Sequence, residues 1–294
     1  MNRKTVIILV VVAAALFAVM AGLSLVFLIA GSGSDVSNLK TWNKGLGYLE
    51  IKGTIVDATE TVRQLKSLES NPLVKGILIR VDSPGGVVTP SHEIYEEIRR
   101  VRDDGTPIIV SMGTLAASGG YYVSAPADLI VANPQTLTGS IGVIMEFPVL
   151  KGVMDKLGVK VEVVKSRVHK DIGSPFRDMT DRDRELLQNV VTDAYDQFVS
   201  IVSTERDIPE DSVRAFADGR IMTGRQALAL GLVDTLGTFE DAKRIAASFS
   251  GIDGEPRLIR PNRRLNFWLR DLLEGTTEGL FGGFGFPRLR YIFY

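Results

Sequence analysis

Three short turns built from small residues carry most of the chemical promise in this sequence. They are Asp82-Ser83-Pro84-Gly85-Gly86, Ala116-Ala117-Ser118-Gly119-Gly120-Tyr121-Tyr122 and Thr138-Gly139-Ser140-Ile141-Gly142-Val143. Ser118 follows an apolar run at 107–111 and reads as a helix entry. A serine placed there meets unpaired N–H groups and the positive end of the helix dipole, which favour a developing oxyanion. The same position also suits an ordinary N-cap. The adjacent glycines 85 and 86 directly follow another apolar run, 76–81. Such a pair lets backbone N–H groups face a ligand, or it makes a plain tight turn. The loop at 138–143 is open to the same two readings.

A serine nucleophile needs a base, and the choice of bases is narrow. The chain has two histidines, His92 and His169, and no cysteine. The lack of cysteine excludes disulfides, zinc–thiolate sites, iron–sulfur clusters and a cysteine nucleophile, and it suits an oxidising compartment. The formal net charge of −1 leaves no basic excess of the kind a nucleic-acid partner demands.

The elements that position these turns alternate. Strands are expected at 46–55, with a turn at Gly53, and at 76–81, 107–111, 129–132 and 159–165. Helices are expected at 59–70, at 149–157, from a Thr180 cap to about 206, and at 211–217, 225–230 and 239–249. A further helix opens at Thr89-Pro90, read as N-cap and first helical proline, and runs to about 103. Strand–helix alternation of this kind argues an α/β fold with parallel pairing and right-handed crossovers.

Ahead of this body, residues 6–30 contain no charged side chain. At about 1.5 Å per residue such a helix is roughly 37 Å long, enough to span a hydrocarbon core of about 30 Å. A secretory h-region is shorter, about 7–15 residues, so the segment reads as an uncleaved anchor, with a signal peptide cut at Ala30-Gly31-Ser32 as the alternative. Arg3 and Lys4 precede it, which places the N-terminus in the cytoplasm and the remainder outside. Residues 31–44, rich in Gly and Ser, form a tether. Residues 45–250 form the main domain, and 251–294 a tail.

Taken together, these pieces resemble the signal peptide peptidase A (protease IV) family in its short, single-domain form. The resemblance rests on the anchor, the three turns, and Gly219-Arg220-Ile221-Met222-Thr223-Gly224-Arg225-Gln226-Ala227, followed by Gly231-Leu232-Val233-Asp234. It implies the Clp protease/crotonase-like spiral of ββα units. It also implies a serine endopeptidase without metal or cofactor, with Ser118 as nucleophile and Lys170 as general base. Lys170 lies in Lys165-Ser166-Arg167-Val168-His169-Lys170-Asp171-Ile172-Gly173-Ser174-Pro175-Phe176 and is favoured over Lys165, which sits within a strand pattern. Ser140 matches the position that orients the lysine, and Gly86 and Gly119 match the oxyanion-hole donors. The implied substrates are cleaved signal peptides and other membrane-released or misfolded polypeptides, cut after small or apolar residues. The implied assembly is a homo-oligomer. Val87, Val88 and Leu115 stand near enough to these turns to line the substrate pocket.

A lysine acts as a base only when neutral. Lowering its pKa from about 10.4 to about 7.5 disfavours the cation by roughly 4 kcal/mol, which burial among apolar groups supplies. The competing readings are a Ser-His hydrolase using His169, acyl-CoA chemistry on the same fold, and a non-catalytic membrane scaffold. The Gly-rich, aromatic stretch at 275–294 reads as a mobile tail, as a membrane-surface contact, or as a segment that docks in the substrate groove.

Overall fold

The computed structural model describes residues 44–261 and 290–292, all within one compact unit, Lys44–Tyr294. The anchor expected at 6–30 and the tether up to residue 43 lie outside the described residues. Among the described residues no helix is long and apolar enough to cross a membrane.

Strands β1 (Gly45–Lys52) and β2 (Val74–Ser83) are largely buried and pair in parallel, as strands covered on both faces do. Strand β3 (Gly85–Val87) follows β2 across a single residue. β4 (Ile108–Ala117) lies on the far side of β2 from β1 and then serves two neighbours. Its residues 109–111 pair with β5 (Leu129–Ala132), and its residues 115–117 pair with β6 (Leu137–Gly139), both in parallel. β6 continues antiparallel to β7 (Ile221–Thr223). β8 (Thr235–Leu236) joins β5 and β9 (Leu258–Ile259) joins β1. The result is an eight-stranded sheet with the order β7-β6-β4-β2-β1-β9, with β5 and β8 branching from β4. β10 (Arg290–Ile292) pairs antiparallel with β3 in a separate two-stranded sheet.

The crossovers are helical. α1 (Thr59–Glu69) joins β1 to β2, α2 (Val88–Asp103) joins β3 to β4, and α3 (Gly119–Ser124) joins β4 to β5. Side chains alternate across the strands with period two, and this splits the core. Ile77, Ile79, Val81, Ile108, Val110 and Met112 share one cluster with α1, α2 and α3. Leu46, Tyr48, Leu78 and Ile109 face the other way, toward Ala242 and Ala246 of α8 (Phe239–Phe249). The remaining helices are α4 (Lys151–Leu157), α5 (Asp181–Arg206), α6 (Glu210–Phe216) and α7 (Gly224–Ala229). α5 starts at the expected Thr180, whose hydroxyl accepts from Asp183 N while the Asp183 carboxylate accepts from Thr180 N. That reciprocal pair satisfies two otherwise orphaned donors.

Four features differ from the sequence reading. Residues 160–165 form no strand and are exposed; the segment finds no partner strand within the described chain. α2 begins at Val88 with Val87 as its N-cap, because β3 delivers the chain straight into the helix. Pro90 is thereby the third helical residue, where its missing N–H costs no intrahelical bond. β4 runs on to Ala117, six residues past the expected end. Gly113 makes room for this, since a side-chain carbon there would stand 2.7 Å from Asp82 Cγ. Finally, the sheet takes in β9, beyond residue 250.

Candidate active site

The three turns converge at the C-terminal ends of β2, β4 and β6. β4 ends at Ala117 and α3 begins at Gly119, so Ser118 is the single residue between them. It is 1% exposed and holds φ 52°, ψ −116°. A non-glycine residue pays about 1–3 kcal/mol for such a conformation, and the surroundings enforce it. Ser118 N donates to Gly139 O at 2.8 Å, and Ser118 O accepts from Tyr122 N at 2.9 Å to start α3. The strand and the helix therefore each hold one end of the residue.

Gly85 and Gly86 lie against this corner. A side-chain carbon on Gly119 would stand 3.0 Å from Gly86 N and 3.1 Å from Gly85 Cα, and one on Gly85 would stand 2.6 Å from Gly119 N. No side chain fits between the two backbones. Gly85 also has φ +100°, which glycine adopts freely. As the first residue of α3, Gly119 has an N–H without a partner inside its helix. Gly86 faces the same corner, because Gly85 O and Val87 N are both spent on Ile55, at 2.8 and 2.7 Å. The Gly86 and Gly119 backbones thus lie against each other beside Ser118.

Ser83 sets the path of β3, a role the sequence reading did not assign. It is fully buried. Its hydroxyl donates to Gly53 O at 2.6 Å and accepts from Gly85 N at 3.1 Å. Ser140 follows β6 with φ 50°, its N–H bonded to Arg220 O at 2.8 Å. It is buried and lines a cleft of about 680 Å³ with Ile141, Val143, Tyr195 and Asp218 among others. A larger cleft of about 830 Å³ lies between α1 and α2 and holds none of the expected catalytic residues.

Lys170 is placed otherwise. It is exposed, in a turn where its N–H bonds Arg167 O at 3.2 Å. Among the described residues no hydrogen bond joins its side chain to Ser118 or Ser140. The turn itself is fixed. Arg177 reaches both carboxylate oxygens of Asp171, at 3.0 Å each, and Asp183 Oδ2 at 2.6 Å, tying the residue after Lys170 to the start of α5. Lys165 is paired with Asp171 at 2.7 Å. His169 lies half-exposed with Nδ1 3.6 Å from Asp183 Oδ1. His92 sits on α2, its Nδ1 2.9 Å from the Tyr122 hydroxyl. Val87 and Leu115 are half-buried in β3 and β4, while Val88 opens α2 and packs on the core.

A buried serine, strained at a strand–helix corner beside paired backbone donors, defines a serine hydrolase on a Clp-like α/β sheet. The comparisons agree. A family model described as peptidase family S49 matches residues 100–253, just over half of the chain, and the Clp protease model matches 49–136. The chain is 41% identical over 212 residues to "Putative protease slr0021" of Synechocystis sp., covering 71% of this chain and 76% of that one. It is 38% identical over 213 residues to "Putative signal peptide peptidase SppA" of Enterococcus faecium, covering 68% and 62%. It is 36% identical over 207 residues to "Protease 4" of Salmonella typhi, covering 67% and 33%. The chain belongs to peptidase family S49, the signal peptide peptidase A/protease 4 family of serine peptidases.

Two predictions follow from this geometry. Ser83→Ala leaves a buried donor and a buried acceptor without their shared partner, at a cost of about 1–3 kcal/mol. We expect a lower denaturation midpoint and a kcat reduced about tenfold with KM changed less; an unchanged kcat would show that β3 holds its position without Ser83. The Asp171 and Asp183 carboxyls are both held below the usual carboxylate range, chiefly by hydrogen bonds from Arg177. Their folded pKa values lie below the unfolded ones, so their contribution to stability is complete above about pH 4 and is lost as the pH falls below it. Thermal midpoints measured down an acid series should decline in the wild type and decline less in Arg177→Met.

Proposed function

We propose that the chain is a membrane-anchored endopeptidase with a Ser118/Lys170 dyad, with its catalytic unit on the extracytoplasmic side. It cuts cleaved signal peptides and other membrane-released or misfolded polypeptides. The observation that carries this reading is the position of Ser118, buried and strained where Gly86 and Gly119 bring their backbone N–H groups together. In this reading the substrate carbonyl oxygen sits between those donors and its carbon faces Ser118 Oγ. Lys170, neutral when desolvated, takes the Ser118 proton and passes it to the leaving amine. Water then hydrolyses the acyl ester. Ser140, buried at the end of β6, directs the lysine without adding charge. The charge-free stretch at 6–30 supports the anchor, and Arg3 and Lys4 ahead of it support the orientation.

An exposed lysine is a poor base, because water stabilises its cation. The segment around it is also exposed and apolar, including Val159, Val161, Val163, Val164 and Val168. An unpaired chain with apolar side chains at alternate positions invites strand pairing with another copy. Burial of Lys170 in a homo-oligomer accounts for both features, with the dyad formed within or between copies.

The test compares variants of the full chain in detergent. Ser118→Ala and Lys170→Ala should each lower peptide hydrolysis about 10³-fold or more and abolish labelling by a fluorophosphonate, while His169→Ala keeps most activity. A dead His169→Ala beside an active Lys170→Ala would replace the dyad with a Ser-His pair. Val163→Glu with Val164→Glu should shift the assembly to monomer by light scattering, with activity falling in step. A monomer as active as the assembly would remove the oligomer from the mechanism.

A further inference from the structure

One side chain closes the turn that carries Lys170. Arg177 has five N–H donors in a fixed fork, and all of them are spent. Nε donates to Asp171 Oδ2 and Nη2 to Asp171 Oδ1, at 3.0 Å each. Nη2 also reaches Asp171 O at 3.2 Å. Nη1 donates to Asp183 Oδ2 at 2.6 Å and to Asp178 O at 3.0 Å. The two carboxylates it holds are well covered, Asp171 with 11% and Asp183 with 3% of the side chain exposed. The guanidinium thus ties the residue after Lys170, the residue after itself and the start of α5 into one unit.

The same bonds divide the charges around the base. Lys165 Nζ takes a further place on Asp171 Oδ1, at 2.7 Å, so the rival lysine is held on the carboxylate beside Lys170. Lys151 of α4 takes Asp178 Oδ2 at 2.6 Å. Asp183 holds Arg177 and, at 3.6 Å, His169 Nδ1. Arg167 in the turn and Asp181 at the start of α5 are both exposed. The carboxylates of Asp171, Asp178 and Asp183 are therefore each claimed by a cation other than Lys170. Among the described residues Lys170 itself forms no ion pair.

Lys170 gives up its proton only when water is removed from it. Removing water also strengthens every charge interaction that remains. A carboxylate without a partner in the adjacent residue would then hold Lys170 as its own counter-ion and keep it charged. We propose that Arg177 is a positioning residue for the general base: by claiming Asp171 and Asp183 it leaves Lys170 without a counter-ion, free to lose its proton when the segment is covered. This rests on the dyad reading above. Arginine suits the task because it supplies charge and a five-donor fork together. A lysine in its place has the charge but three donors.

The pH dependence of kcat/KM for a reporter peptide, measured on the full chain in detergent, tests this, with assembly followed by light scattering on the same samples. The acid limb of that profile reports the base of the free enzyme. In Arg177→Met the carboxylates of Asp171 and Asp183 lose their shared cation, so the limb should move about one unit to higher pH. Hydrolysis on the limb then falls about tenfold, and most of it returns on the alkaline plateau. Arg177→Lys keeps the charge and should leave the limb near its wild-type position. Asp171→Asn combined with Arg177→Met removes one charge of each sign and should bring the limb back, whereas damage to the turn alone would not be undone by a second loss. A limb that stays in place in Arg177→Met, or that the double variant does not restore, overturns the proposal and leaves the dyad standing if Lys170→Ala is inactive. An active Lys170→Ala overturns the dyad first. Where Arg177→Met does not assemble, Asp171→Asn decides with the opposite sign: the limb should move to lower pH, and a limb unmoved or raised overturns the proposal.

Discussion

The structure depends on one contact between two backbones, where β3 passes the start of α3. Side-chain carbons at Gly85, Gly86 or Gly119 would each fall within about 3 Å of backbone atoms of another segment, closer than packed atoms tolerate. This contact sets the distance between the Gly86 and Gly119 backbone N–H groups, the proposed oxyanion donors. It also fixes where Ser118 must turn, since the residue before Gly119 has to leave β4 and enter the helix within a single step. The positive φ of Ser118 is the local cost of that geometry. It is met by the buried sheet on one side and by the buried helix α3 on the other. Ser83 belongs to the same constraint, because its hydroxyl determines how the chain bends between β2 and β3.

The parts of this arrangement that were legible in the sequence are those written locally. Buried parallel strands show as apolar runs, α5 announces itself with Thr180, and the glycine pairs mark tight turns of the backbone. Their relation in space was reached through resemblance to a family, because no local pattern says that residue 86 lies against residue 119. The pairing of β6 and β7 was missed for a similar reason. Both are three-residue strands, too short for any periodicity to register. The ring cluster of Tyr122, Phe198 and Tyr291 was missed because its members come from distant parts of the chain and meet only in the fold. The strand expected at 159–165 has the right alternation, but alternation describes a surface that wants a partner, and a single chain does not provide one.

The proposed nucleophile and the proposed base are solvated in opposite ways. Ser118 is buried within one copy, whereas Lys170 is exposed in a turn that Arg177 holds through Asp171 and Asp183. A rigid turn carrying an exposed lysine on an apolar surface is half of a desolvated site. Neutralising a lysine requires removing water from it, and covering the segment does so without moving the turn. Under the proposed dyad, activity is then linked to assembly, because covering that segment is what takes water away from the base.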